Sequence, residues 1–231
     1  MSFPDEQKRA AGEAAAKLVE SGMIVGLGTG STAAWFVRAL ADRMVHEKLD
    51  VRGVATSQGT AALAEVLGIP LLELNQVAID LTVDGADEIG PGLSLIKGGG
   101  AALLREKLVW EASRRCVVIA DKAKRVPRLG KFPLPIEVVR FGHESTALRL
   151  SDALVECDIG IPPRLRIRDG EVVVTDSGNL IYDVSCGAIE EPALLADTLK
   201  NVTGVVDHGL FLDLADEALI GGDDGVQRLS P

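Results

Sequence analysis

"MIVGLGTGSTAAWFVRAL", Met23 to Leu40, passes from a short apolar run through a turn of glycine, threonine and serine into a helical pattern that continues to about Met44. That order, buried strand then small-residue turn then helix, recurs along the chain. "VRGVATSQGTAALAEVLG" (Val51–Gly68) has the same plan, with Thr56 and Ser57 placed as N-caps of the following helix. "VAIDLTVDGADE" (Val77–Glu88) is a strand-like run that ends in acids, and a helical pattern resumes from about Gly99 to Arg115. "RCVVIADKAK" (Arg115–Lys124) is strand and then loop. Strands alternating with helices, with polar residues gathered just after the strands, predict an α/β fold: a Rossmann-like, largely parallel sheet. In such sheets ligands bind beyond the carboxyl ends of the strands.

The texture changes near "RLGKFPLPIEVV" (Arg128–Val139), where shorter strands and helices alternate up to a helix expected from about Glu191 to Asn201. We read residues 131–206 as a smaller α+β domain inserted into a first domain of residues 1–130 and 207–231. The final stretch, "GVVDHGLFLDLADEALIGGDDGVQ", is read as strands that rejoin the first domain.

Bulk properties restrict the function. Of the 231 residues, 47% are hydrophobic and only 3% aromatic, so an ample core must rest on Ala, Val, Leu and Ile. A formal charge of −10 argues against nucleic acid or an anionic membrane as partner, because both select basic surfaces. An anionic ligand would then depend on a few well-placed lysines. The three cysteines, Cys116, Cys157 and Cys186, form no CxxC pair, which suits a reducing compartment. The opening stretch Met1–Gly22 reads as an alanine-rich amphipathic helix rather than a secretory signal, and no apolar run approaches a membrane span. A soluble cytoplasmic protein is expected.

Four strand ends carry residues of interest. In "GLGTGSTA" (Gly26–Ala33), glycines open the backbone to an anion, Thr29, Ser31 and Thr32 add hydroxyls, and the next helix adds its dipole. An ordinary strand-to-helix turn is the alternative. The dinucleotide pattern fits poorly, because Ser31 stands at its third glycine, and GxxxxGK[ST] is absent. Asp84, Asp87 and Glu88 can hold Mg²⁺, work as acid–base groups or cap a turn. Lys97 and the run Gly98, Gly99, Gly100 precede a helix, where glycine is entropically costly but lets a backbone come close. By themselves Glu106 in "REK", Lys124 in "ADKAK" and Lys8 on the first helix read as solvated charges. His46, His143 and His208 are scattered, with neither HExxH nor GxSxG, so they support no metal site or triad.

Taken together, "GLGTGSTA", "VDGADEI", "IKGGGAALLREK", "IADKAK", "GKFPLPIEV", "TDSGN" and "GVVDHGLF" closely resemble ribose-5-phosphate isomerase of type A, in that family's order and spacing across nearly the whole chain. The resemblance implies interconversion of ribose 5-phosphate and ribulose 5-phosphate through an enediolate, without metal or cofactor, in a homodimer or homotetramer. It implies Glu106 as general base, Lys97 beside the oxyanion, and Asp84 and Asp87 on the sugar hydroxyls. Substrate-binding positions carried over are Thr29, Gly30, Ser31, Thr32, Asp84, Gly85, Ala86, Asp87, Lys97, Gly98, Gly99, Gly100, Lys124 and Lys8. We place the phosphate against Ser31, Thr32 and Lys124, with Lys8 as a further match. Two departures stand out: Ser177 replaces the usual asparagine of "TDSGN", and "ATSQGT" (Ala55–Thr60) is an unfamiliar form from which nothing is carried over. The rival readings are a sugar-phosphate deaminase or CoA transferase of the same fold, and a sugar-phosphate sensor domain. The sensor reading leaves Glu106 without a task.

Overall fold

The structure is a computed structural model that describes residues 3–75 and 77–231. The chain begins with α1 (Phe3–Ala16), whose first turn carries Asp5 and Glu6 against the positive end of the helix dipole. Met1 and Ser2, also read as helical, lie outside the described residues. Next come β1 (Ile24–Leu27), α2 (Ser31–Glu47), β2 (Arg52–Ala55), α3 (Gln58–Val66) and β3 (Leu81–Gly85). Ser57 caps α3 by accepting a hydrogen bond from the Thr60 N–H at 3.1 Å. Two short strands, β4 (Glu88–Ile89) and β5 (Leu95–Ile96), precede α4 (Leu103–Glu111) and the fully buried β6 (Cys116–Asp121). Then follow β7 (Leu134–Val138), α5 (His143–Glu156), β8 (Arg164–Leu165), β9 (Ile167–Arg168), β10 (Glu171–Val172) and β11 (Leu180–Val184). The last elements are α6 (Pro192–Lys200), β12 (Val205–His208), β13 (Leu210–Phe211), β14 (Glu217–Gly222) and β15 (Gly225–Leu229).

The described residues form two compact units. One comprises those within Met1–Ala86, Arg105–Arg125 and Asp213–Pro231; the other comprises Asp87–Leu104 and Val126–Leu212. In the first, six strands lie in the order β15-β14-β6-β3-β1-β2, parallel except for the β14–β15 hairpin. One apolar cluster joins strand residues Val25, Leu27, Val83 and Ile119 to Ala11 of α1 and to Phe36 and Leu40 of α2. A second joins Val54 and Ile79 to Val109 of α4. Helices therefore cover both sheet faces, as the near-continuous apolar strands require. The order reverses at β1: its connection to β2 leads one way and the later β3 lies on the other side. That is a topological switch point, where the carboxyl strand ends leave a crevice for ligand.

The second unit is built on an antiparallel sheet, β12-β7-β11-β8, with a three-stranded sheet β13-β5-β4 and the hairpin β9–β10. Leu150 and Leu154 of α5, and Leu195 and Leu199 of α6, pack on Leu134, Ile136, Val138 and Tyr182.

Two expectations change. The helix expected from Gly99 begins at Leu103 and ends at Glu111, because Gly98 (φ 106°) and Ala101 (φ 60°) hold the chain in left-handed conformations that no α-helix admits. The run expected to rejoin the first sheet divides: β12 pairs with β7, and only β14 and β15 join the six-stranded sheet.

Candidate active site

In the first unit, the switch point holds Gly28–Thr32 at the end of β1 and Asp84 at the end of β3. Asp84 is fully buried, and its Oδ1 accepts from the Thr29 N–H at 2.9 Å and the Gly85 N–H at 2.7 Å. Glycine at 28 is a matter of space: a Cβ there would lie 2.2 Å from Asp84 Oδ1. Thus the glycine that read as an opening for an anion makes room for the buried acid. Ser31 and Thr32 open α2, whose first turn contains no acidic side chain, so its N-terminal N–H groups and dipole face no carboxylate from within that turn. Gly85 and Ala86, half-buried, continue the chain from Asp84.

Thr29 also reveals a group that the sequence reading left aside. Its hydroxyl lies 2.7 Å from Thr56 Oγ1, 2.8 Å from Ser57 Oγ and 3.3 Å from Thr60 Oγ1. Thr56 and Thr60 in turn donate to the Leu27 and Gly28 carbonyls. The unfamiliar "ATSQGT" stretch thus knits the end of β2 to the turn after β1. Its signal in the sequence was a run of small hydroxyl residues directly after a strand.

Glu106 is 4% exposed and sits in the first turn of α4, because the helix starts at Leu103 and not at the expected Gly99. Negative charge is favoured there by the helix N-terminus. Beyond β6, Asp121 caps the turn that carries Lys124 by accepting from the Ala123 N–H at 3.0 Å. Lys124 is half-buried, whereas neighbouring Lys122 pairs with Asp223. Lys8, half-buried on α1, follows Gln7, whose carbonyl lies against Gly221 at the carboxyl end of β14.

In the second unit, the β4–β5 pairing sets Glu88 opposite Ile96 and so brings Asp87 level with Lys97. The Asp87 N–H donates to the Ile96 carbonyl at 2.8 Å, and the Lys97 N–H to the Gly209 carbonyl at 2.8 Å. Lys97 is 2% exposed, with Nζ 5.4 Å from the centre of the Phe211 ring. A buried lysine on an aromatic face is a concentrated positive charge in a low-dielectric setting. Asp87 Oδ2 accepts from the Gly99 N–H at 2.7 Å. Gly98 is buried, Gly99 half-buried and Gly100 exposed. Glu88 serves the fold: its two carboxylate oxygens accept from the Gly130 and Phe132 N–H groups at 2.7 and 2.6 Å.

Glu137, on β7, is a second buried acid of this unit. Burial pushes its carboxyl above the ordinary value, opposed by hydrogen bonds from Asn179 and Thr175, both at 2.9 Å, and by the Leu104 N–H; nearby Asp207 adds to the rise.

Fold and site define the class: a doubly wound α/β protein whose strand ends gather buried ionisable side chains, as ligand-handling proteins of that architecture do. The family described as ribose 5-phosphate isomerase A (phosphoriboisomerase A) matches residues 52–225. A relative in Caulobacter vibrioides, ribose-5-phosphate isomerase A, is 72% identical over 98% of this chain and 99% of its own. The solved ribose 5-phosphate isomerase from Plasmodium falciparum superposes with a TM-score of 0.94 at 38% identity, covering 98% of this chain and 99% of that one. A D-ribose-5-phosphate isomerase in complex with phospho-erythronic acid superposes with a TM-score of 0.92 at 36% identity over 100% of both chains. This chain belongs to the ribose 5-phosphate isomerase A family.

Proposed function

We propose that this protein is an aldose–ketose isomerase that interconverts ribose 5-phosphate and ribulose 5-phosphate, a step of the pentose phosphate pathway. The observation that carries the reading is the 72% identity, over 98% of this chain, to a ribose-5-phosphate isomerase A, in a chain where Glu106 and Lys97 are each buried. The reaction moves one proton between adjacent carbons. Glu106 takes the proton from C2 of the open-chain aldose, and the C1 carbonyl becomes the second oxygen of an enediolate. Return of that proton to C1, with the hydroxyl proton shifted from O2 to O1, gives the ketose. Charge develops on the oxygen facing Lys97, whose buried ammonium stabilises it more than a solvated lysine would. Asp84 and Asp87 hold and exchange the hydroxyl protons. The phosphate lies on Ser31, Thr32, Lys124 and Lys8, while Thr29, Gly30, Gly85, Ala86, Gly98, Gly99 and Gly100 supply main chain to the sugar. Phospho-erythronic acid, held by the 36%-identical relative, fits this chemistry: its carboxylate has two oxygens on one planar carbon, as an enediolate has on two.

The test is a coupled assay on ribose 5-phosphate, run with EDTA and beside glucosamine 6-phosphate. Turnover of the pentose alone is expected, and Glu106→Gln should lower kcat by ~10²-fold or more, the scale of a lost general base. Release of ammonia from the amino sugar would favour the deaminase reading, and near-normal kcat in the variant would place the base elsewhere. We further propose a cytoplasmic homodimer or homotetramer. Cys116, Cys157 and Cys186 are thiols rather than disulfides, which suits a reducing compartment, and Phe141, 94% exposed in a single chain, suits burial by a second copy. A single-chain mass by light scattering, or recovery outside the cytosolic fraction, would contradict those two points.

A further inference from the structure

The proposed chemistry gives no task to Arg166, which lies 68 residues along the chain from Gly98. Its side chain is only 10% exposed and is held by Asp183, Nε donating to Oδ2 at 2.7 Å and Nη2 to Oδ1. The remaining face of the guanidinium is aimed at the glycine strip. Nη1 donates to the Gly98 carbonyl at 2.8 Å and to the Gly99 carbonyl at 3.3 Å, and Arg168 adds a 3.3 Å contact to the Gly99 carbonyl. The Gly98 carbonyl and the Gly99 N–H are two ends of one trans peptide, so they point in opposite directions. The first is held by Arg166, and the second donates to Asp87 Oδ2 at 2.7 Å.

We infer that Arg166 is the positioning residue for Asp87, acting through the Gly98–Gly99 peptide. A cation on the carbonyl and a carboxylate on the N–H polarise that peptide in the same sense, so each bond strengthens the other. The chain Asp183, Arg166, peptide, Asp87 fixes a carboxylate that must exchange hydroxyl protons at a defined distance. It also turns the next peptide, so that the Gly100 N–H faces away from Arg166. Gly98, at φ 106°, turns the strip away from the line of Lys97, a conformation that favours glycine. Lysine cannot take this part, because the planar fork is what grips Asp183 and two carbonyls at once.

This inference rests on the reading of Asp87 as a hydroxyl-handling residue, and a double-mutant cycle separates the two. Arg166→Ala should lower kcat by ~10-fold or more, the cost of a misplaced catalytic group, with KM changed by less than about threefold. In an Asp87→Asn background the same change should cost less than about threefold, because the residue it positions is already gone. The Gly99 amide proton, donated to a carboxylate in the parent, should move upfield in the NMR spectrum of Arg166→Ala. An unmoved Gly99 resonance overturns the proposal. So do equal losses in the two backgrounds when Asp87→Asn itself costs activity. If Asp87→Asn keeps full turnover, the role given to Asp87 has failed instead, and the Gly99 resonance alone decides the clamp. Should Arg166→Ala fail to fold, Arg166→Lys carries the same cycle: it keeps the charge beside Asp183 without the fork.

Discussion

Glu137 is 1% exposed, and its carboxyl is raised from an ordinary value of 4.5, with burial as the main cause. A native-state value above the unfolded one means that the folded chain binds more protons between the two. Its contribution to stability is therefore full below pH 4.5 and is lost as pH climbs through the raised native value. Glu137→Gln has no such loss, and its amide oxygen can still accept from Thr175 and Asn179. The melting midpoint of the variant, relative to the parent, should rise between pH 4.5 and neutrality, about 2–4 °C for each kcal/mol recovered. A difference that stays flat or falls over that range would mean the buried carboxylate is fully compensated by its donors.

α3 depends on Ser57 more than an ordinary helix depends on its cap. The Ser57 oxygen accepts from the Thr60 N–H at the helix start and from the Thr29 hydroxyl across the strand ends. Ser57→Ala should cost ~1–2 kcal/mol in urea unfolding, the upper half of the range for a lost N-cap. A loss within about 0.3 kcal/mol would show that water replaces both bonds without penalty. This element also marks what the sequence could reveal. The cap was legible, because a hydroxyl before a helical run has a local signature. Its bond to Thr29, 28 residues earlier, had none. The strand–turn–helix order was legible for the same local reason, down to acids and glycines at strand ends. The start of α4 was not, since Ala101 takes a left-handed conformation that only the surrounding fold imposes. The placement of β12 was equally hidden: "VVDH" reads as a strand in any sheet, and pairing with β7 is decided by residues some 70 positions away. Arg166 was hidden for both reasons, one charge in an alternating stretch whose partners lie far along the chain.

At the scale of the whole molecule, charge opposes the proposed substrate. The chain carries a formal −10, so a doubly negative sugar phosphate approaches against the mean field. The cations assigned to it differ in kind. Lys97, 2% exposed and set over Phe211, would in the proposed mechanism act at contact range, where salt screens little. Lys8 and Lys124 are half-buried, and Lys122 has its charge spent on Asp223. Repulsion by the molecule as a whole acts across distances beyond ~10 Å, which 0.1 M salt removes first. Raising KCl from ~10 mM to ~100 mM should therefore lower KM for ribose 5-phosphate, by about twofold, while kcat stays within about 30% because the buried step is unscreened. A KM that rises across that range would show that the local lysines already dominate the approach field. Lys124→Ala should then reverse the sign of the salt effect; if it does not, the attraction comes from elsewhere on the surface.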